Sequence, residues 1–590
     1  MEKVNVSIQI VKHLQKKGIE NVFGVIGSSI IRVFQGLGET EGIDYVCPLH
    51  EQGASMAAEA YARRTGKIGV ALATCGPGAT NTVTGCAGAY TDSIPVLYLI
   101  GHPNYNQLKK DLPIRFYAYQ EFDLVKIFEP VTKYAVMVEK ASDVLYEIDK
   151  AMDIALTGRK GPVMVAIPQD IIYSDICEND FKQYKIQTAV PHADQGVQNS
   201  QTAAKKTYEL LKEARRPILL YGAGVNNAGG RDIAKKLAER MNCPIALTYP
   251  MRDMLDYNHP LNCQSVGIFG TRGGNFAIQG ADLLICVGTR MDNMLTGTAS
   301  EFGKRAKKVI IDIEQGELDK LDYFGYQFDG KYKCDAKLFL GELNKMISDG
   351  EFNFAPWMQR IREWHAKYPL ITEKEYNEKT TNPYVFFEKL ATQMNRKDDL
   401  VIGSGLACSW AGQSFKFLEG QRWIMQFAIG AMGYGLPAAL GTSYGSDGRI
   451  IMVTGDGSVQ MTIQEMATIK FYNRNVKIFI ICNEAYGLIQ KTQETYNVGH
   501  YATDREHHLP LPNTTALAKA YGYKTYDIYE NAEIENILQQ VLNDEGPVYC
   551  AVHVPVEKKM ILQVRGSLEN MVPALPEGTV EAEMAALGEL

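Results

Sequence analysis

The chain has 590 residues, of which 46% are hydrophobic and 22% charged, with a formal net charge of −7. That length exceeds one hydrophobic core and predicts roughly three to four domains. The composition excludes a disordered chain, and a net negative charge without any lysine/arginine run argues against a general nucleic-acid binder.

The opening segment, MEKVNVSIQIVKHLQKKGIE, has charges inside its apolar stretch and no small-residue cleavage site after it, so it does not read as a signal peptide. No apolar run approaches the roughly 18 residues needed to span a membrane. Residues 1–175 alternate helical patterns with short apolar runs at 69–73 (GVALA), 96–100 (VLYLI) and 163–167 (VMVAI). This is the signature of a parallel sheet covered by helices. From 175 to about 202 the sequence turns polar and aperiodic and predicts a linker. A second α/β block over 200–345 carries strand candidates at 218–222, 283–288 and 309–313. EFNFAPWMQRIREWHAKYPL then makes a second connector. The third block, 370–560, has apolar runs at 400–403, 449–455, 476–482 and 548–554. Residues 561–590 are expected to be a tail, small and acidic from about Pro576 and mobile. The fold class expected is α/β, with three doubly wound parallel-sheet domains. Eleven cysteines, scattered and without a CxxC pair, predict buried free thiols and a cytoplasmic protein.

Chemistry enters in the third block. Gly455-Asp456-Gly457-Ser458 directly follows one strand and Asn483 directly follows the next, 27 positions after Asp456, with a helix predicted between them. Such a crossover brings two strand ends together at the carboxyl edge of a sheet, where open α/β folds bind ligands. One carboxylate and one amide oxygen suit a hard cation such as magnesium. The glycines admit a diphosphate close to the backbone, and the helix N-terminus beyond Ser458 favours its charge. Alone, a GDG after a strand is more often a tight turn. In the first block, Glu51 stands before a helix in LHEQGASMAAEAYARRTGK, where a helix-dipole role is the ordinary explanation.

The spacing from Asp456 to Asn483 matches the thiamine-diphosphate enzymes, and HEQGA-x-x-AAEAYAR resembles the acetolactate synthases almost residue for residue. Further matches are CGPGATN at 75–81, DSIPVL at 92–97, Tyr119-Gln120-Glu121, Thr132-Lys133, GPVMVAIPQD at 161–170 and Gly430-Ala431-Met432-Gly433-Tyr434-Gly435-Leu436-Pro437-Ala438-Ala439. The chain is identified by resemblance as an acetolactate-synthase-like member of the thiamine-diphosphate decarboxylase and carboligase family. The resemblance implies that Glu51 hydrogen-bonds N1′ of the cofactor's aminopyrimidine, making the cofactor's 4′-nitrogen the base at C2. It implies that Met432 wedges between the cofactor rings, that the Gly430 carbonyl accepts from the 4′-amino group, and that Asp456, Asn483 and the Ala485 carbonyl hold magnesium. The first of the usual paired asparagines is Cys482 here. Gln120 and Lys133 become candidates for orienting substrate, with Gly27 lining the pocket. A working unit of at least a dimer follows from the same resemblance.

In the middle block, Gly222-Ala223-Gly224 alone is as well explained by a turn. The resemblance implies FAD there, held by Gly222, Gly224, Thr271, Arg290, Asp312 and, from the first block, Arg159; an empty or ADP-binding site is the alternative. Arginine would suit the FAD diphosphate. Two departures bear on substrate. An arginine and a tryptophan that help bind substrates in acetolactate synthases are Met294 and Thr492 here, and the diphosphate-contacting Gln-His pair is Leu406-Ala407. The adjacent histidines of pyruvate decarboxylases are absent from the first block, and His507-His508 is expected on a surface loop. The reading is decarboxylation of a 2-keto acid such as pyruvate, with transfer of the acyl carbanion to an acceptor carbonyl that need not be a keto acid. A true acetolactate synthase with an altered pocket, a diketone hydrolase and a non-catalytic relative are the rivals.

Overall fold

The computed structural model describes residues 3–185 and 193–589. Among these residues, three six-stranded sheets follow one another along the chain, and every pairing within them is parallel. Their central strands, such as Val96–His102 (VLYLIGH) and Val163–Pro168 (VMVAIP), are buried at every position. Helices cover both faces of such a sheet, so its strands read as unbroken apolar runs and not as alternation.

The first sheet runs Asp44–Val46, Asn21–Gly24, Gly69–Ala73, Val96–His102, Val163–Pro168, Tyr134–Met137. Numbered along the chain, this is the order 2-1-3-4-6-5. The last sheet has the same order: Arg422–Ile424, Asp399–Ile402, Ile450–Gly455, Val476–Cys482, Val548–His553, Thr525–Ile528. The middle sheet differs. Its strands run Asn262–Ser265, Ile245–Leu247, Pro217–Tyr221, Leu283–Val287, Lys307–Asp312, Gly330–Lys333, the order 3-2-1-4-5-6 of dinucleotide-binding folds.

The first and last domains pack through two helices of small residues, Glu51–Thr65 and Gly435–Ser443. Their backbones approach so closely that a Cβ on Gly441 would lie 2.0 Å from the Ala57 carbonyl oxygen. Ala54, Ala57 and Ala58 thereby share one apolar cluster with Leu436, Ala438 and Ala439.

Three expectations change. The predicted linker is shorter than 175–202: Asp175–Cys177 pairs antiparallel with Lys3–Asn5, and the Ala193–Glu213 helix begins well before 202, while residues 186–192 of it lie outside the described residues. The second connector forms the Ala355–Lys367 helix, whose Trp357, Ile361 and Trp364 join the middle domain's core. The segment expected to be a mobile tail is docked on the middle domain. Strands Gln563–Arg565 and Ser567–Val572 pair there, Arg272 donates to the Pro573 carbonyl (2.7 Å), and Glu583 of the Thr579–Ala585 helix accepts from Trp364 Nε1 (2.8 Å), Tyr368 and Lys367. Burial of Met584 and Leu587 is the physical reason.

Candidate active site

At the carboxyl edge of the first sheet, Glu51 opens its helix, with His50 as N-cap accepting from the Gln52 amide (3.1 Å). Asn81 Nδ2 donates to Glu51 Oε2 (2.9 Å), fixing the carboxylate and leaving Oε1 beside Gly78, where a Cβ would come within 3.3 Å of it. The 74–78 loop gathers two more of the expected residues. A Cβ on Gly27 would sit 2.4 Å from Thr74 Cβ, so only glycine lets these strand ends approach. Gln120, held at φ +63°, receives the Cys75 thiol on Oε1 (3.5 Å) and packs on Gly76.

Lys133 does not join them. It precedes the Tyr134–Met137 strand and so lies at the opposite, amino edge of the sheet. Its ammonium donates to the carbonyls of Ile154 and Thr157 (2.7 Å to the latter), closing the end of the Val144–Leu156 helix, and burial lowers its pKa. A substrate-orienting role is corrected to a helix cap.

In the last domain, Gly455 pairs with Ile481 in the parallel ladder, which brings Asp456 and Asn483 to neighbouring strand ends. Asp456 is buried, its Oδ1 accepting from the Gly457 amide (2.8 Å) and its Oδ2 from the Glu484 amide (2.7 Å). Burial pushes its carboxyl up to about 6. Backbone amides of Glu484, Gly457 and Asn483 oppose that rise, and the Glu484 charge adds to it. A desolvated carboxylate steadied only by backbone amides fits a bound cation. Ala485 is buried and bridges to Asp504, and a Cβ on Gly457 would strike the Tyr486 ring at 2.2 Å. Gly405 (φ +96°) precedes the Leu406–Ser414 helix, whose first side chains, Leu406 and Ala407, are buried, Leu406 against Gly487. A Cβ on Gly405, Gly430 or Gly455 would meet nothing within 4 Å, so glycines border an open cradle that a diphosphate fits.

The loop that carries Gly430 and Met432 is tied down at three points the sequence did not reveal. The Phe427 and Ala428 amides donate to Asp92 (2.8 and 3.1 Å), and Arg63 donates to the same carboxylate (2.9 Å). The Gly433 amide donates to Ser458 Oγ (3.1 Å), while Thr462 donates to the Gly433 carbonyl (2.7 Å). Tyr434 donates to the wholly buried Glu59 (2.6 Å). Between these anchors Met432 is half-buried and Gly430 (φ +57°) exposed.

A cleft of about 460 Å³ lies at the strand-order switch of the middle sheet, lined by Arg159, Gly222, Gly224, Arg290 and Asp312, with Met294 and Asp92 on its wall. Gly222 and Gly224 press on Gly288, where a Cβ on either would come within 2.6 Å of backbone atoms. Arg159 pairs with Glu314 and Glu317 (2.9 Å to the latter), and burial raises the Asp312 carboxyl to about 6. Thr271 is not in the cleft. It caps the Arg272–Gly280 helix, accepting from the Gly274 amide (3.2 Å), outside the residues that line the cleft. Thr492 lies exposed on the Gly487–Thr495 helix, and His507 and His508 lie on the loop beyond it.

Comparison with known proteins agrees with this geometry. Thiamine pyrophosphate enzyme models match the chain three times: the N-terminal TPP binding domain over residues 4–127, the central domain over 204–343 and the C-terminal TPP binding domain over 403–552. The chain is 30% identical to the acetolactate synthase isozyme 1 large subunit of Escherichia coli, over 98% of this chain and 96% of the relative. It is 30% identical to the acetolactate synthase large subunit of Haemophilus influenzae (98% and 99% covered) and 28% identical to that of Lactococcus lactis (100% and 97%). Fold, site and similarity together make this chain a member of the thiamine pyrophosphate enzyme family. Within it, the chain is an acetolactate-synthase-like carboligase, a transferase that decarboxylates a 2-keto acid and joins the remaining fragment to a carbonyl. No described helix is long and apolar enough to cross a membrane.

Proposed function

We propose that the donor is pyruvate or a close 2-keto acid and that the acceptor is a carbonyl compound lacking a second keto-acid carboxylate. The observation that carries this is the site's charge. Met294 and Thr492 stand where acetolactate synthases are expected to present arginine and tryptophan, and Lys133, the cation expected to orient substrate, caps a helix at the far edge of its sheet. An acceptor carboxylate would lack the paired guanidinium that makes its desolvation tolerable.

When bound, thiamine diphosphate supplies the electron sink for loss of carbon dioxide. The chain's own residues do the rest. Glu51, with Oε2 engaged by Asn81, exchanges its proton at Oε1 with the aminopyrimidine N1′. The Met432 loop, pinned on Asp92, Ser458 and Glu59, would hold Met432 and the Gly430 carbonyl in fixed positions toward the cofactor's aminopyrimidine side. Asp456, Asn483 and the Ala485 carbonyl hold magnesium, and Gly455, Gly457, Ser458, Leu406 and Ala407 present backbone to the diphosphate. Gln120 and Gly27 shape the substrate side. FAD in the middle cleft is supported by the 3-2-1-4-5-6 strand order and by Arg159, Arg290 and Asp312 in the cleft's lining, where guanidiniums would suit its diphosphate and a carboxylate a ribose hydroxyl. Its role is structural, because the reaction needs no redox step.

A dimer at least is supported by exposed apolar side chains around Glu51 and Gln120: Ile26, Leu49, Phe116, Tyr117 and Tyr119, the last 84% exposed. The eleven free cysteines support a reducing compartment, the cytoplasm.

The test is carbon dioxide release from pyruvate with magnesium and thiamine diphosphate, across a panel of aldehyde, keto-acid and keto-sugar acceptors. Release that depends on a non-acid acceptor is the expected result. Acetolactate accumulating from pyruvate alone would instead establish a synthase with an altered pocket.

A further inference from the structure

The loop between the Gly487–Thr495 and Thr514–Ala520 helices carries groups that the reaction above does not use. One donor atom each from His500, Asp504 and His507 lies within 4.8 Å of the others, and all three residues are half-buried. His507 Nδ1 stands 2.7 Å from Asp504 Oδ1, and the two imidazoles meet edge to face with centroids 5.8 Å apart. A fourth donor is near, since Glu494 Oε1 lies 3.6 Å from His500 Nε2.

The site is held in place from outside. Gln490 Nε2 (2.8 Å) and Thr503 Oγ1 (3.1 Å) donate to Asp504 Oδ2, and the His507 amide donates to Oδ1 (3.0 Å). These contacts orient the carboxylate as outer partners orient a metal ligand. The Tyr486 amide donates to the Thr503 carbonyl (2.8 Å), and Ala485 bridges to Asp504, so the cluster is stitched to the segment after Asn483.

An Asp–His hydrogen bond alone explains one imidazole. It does not explain the second ring, His500, whose Nε2 stands 3.6 Å from Glu494 Oε1. Two imidazoles with one carboxylate are the donor set of zinc and similar borderline cations, whereas magnesium prefers oxygen. Lys559 also pairs with Glu494 (2.5 Å), which makes that carboxylate the weakest of the four donors. The cluster lines a cleft also lined by Leu406 and Asn483.

We propose that His500, Asp504 and His507 bind one transition-metal dication of the zinc class, at a site separate from Asp456 and Asn483, with Glu494 or water completing the shell. The ion pins this loop to the Gly487–Thr495 helix. This holds whichever acceptor the enzyme uses.

Full-length protein, stripped with a chelator and returned to magnesium and thiamine diphosphate, is titrated with Co2+ as the spectroscopic probe. The expected result is one Co2+ per chain with visible ligand-field bands, no sulfur charge-transfer band, and displacement by Zn2+. His500→Ala and His507→Ala should each weaken binding roughly tenfold or more. Asp504→Asn, which keeps the residue's volume, should do the same if an alanine variant fails to fold, as judged by circular dichroism. Absence of binding at micromolar Co2+, equal binding by variants and parent, or a sulfur charge-transfer band would each overturn the proposal.

Discussion

Asp92→Ala should damage the active site from the end of the Val83–Asp92 helix in the first domain. Its carboxylate accepts three hydrogen bonds, from Arg63 (2.9 Å) and from the Phe427 and Ala428 amides at 2.8 and 3.1 Å. Hydrogen bonds to a charged group are worth about 1.5–3 kcal/mol each. Arg63 keeps Glu59 as a partner, so the main loss is that of the two amides, with the longer Arg290 pairing (3.6 Å) lost beside them. Allowing for water entry, truncation should cost about 3–5 kcal/mol. Asp92→Asn retains one acceptor oxygen and should cost about half. Both amides begin the loop that carries Gly430 and Met432, so part of the cost must appear as weaker cofactor binding, on the order of tenfold to a hundredfold. Urea unfolding, paired with thiamine diphosphate titration by fluorescence, reads both quantities. Lost stability with unchanged cofactor affinity would refute the claim that Asp92 positions this loop.

The remaining predictions are independent of it. Gly76→Ala places a Cβ 2.7 Å from Gln120 Cβ at φ +62°, and should cost about 1–3 kcal/mol in urea melts while lowering kcat/KM. Asp456→Ala should abolish magnesium-dependent binding of thiamine diphosphate, measured by calorimetry, while the fold persists by circular dichroism. Glu583 sits in a desolvated site, yet hydrogen bonds from Lys367, Trp364 and Tyr368 hold its pKa down at about 2 against an ordinary 4.5. A depressed folded pKa means the stabilisation is full above pH 4.5 and lost as pH falls toward 2. Glu583→Gln should therefore be less stable than the parent by up to about 3 kcal/mol at neutral pH, a gap that narrows in melts below pH 4.5.

The three sheets were legible because parallel strands buried on both faces leave unbroken apolar runs; a strand end flanked by glycines pointed to Asp456, while Gly27 and Glu51 stood out only through the family resemblance. What sequence position alone does not say is which edge of a sheet a residue occupies. Lys133 looked like site chemistry beside Thr132, but it precedes its strand and so belongs to the amino edge. Thr271 illustrates a second ambiguity, because a threonine ahead of a helix is as good an N-cap as a ligand contact. The C-terminal segment misled through composition: its small, acidic character suggested a free tail, while the single carboxylate of Glu583 and two apolar neighbours anchor it. Asp92 and Glu59 stood inside recognised motifs, yet their partners in the Met432 loop lie 335 and 375 positions away, beyond any local pattern.

The central claim is that Glu51 activates bound thiamine diphosphate for decarboxylation and carboligation. Deuterium exchange at the cofactor's C2 position, quenched and followed by NMR, tests it in parent protein and in Glu51→Gln. Exchange on the parent protein should be fast, and the variant should bind cofactor but exchange about 10²–10⁴-fold more slowly. Equal exchange rates with equal cofactor occupancy would contradict the assignment of Glu51.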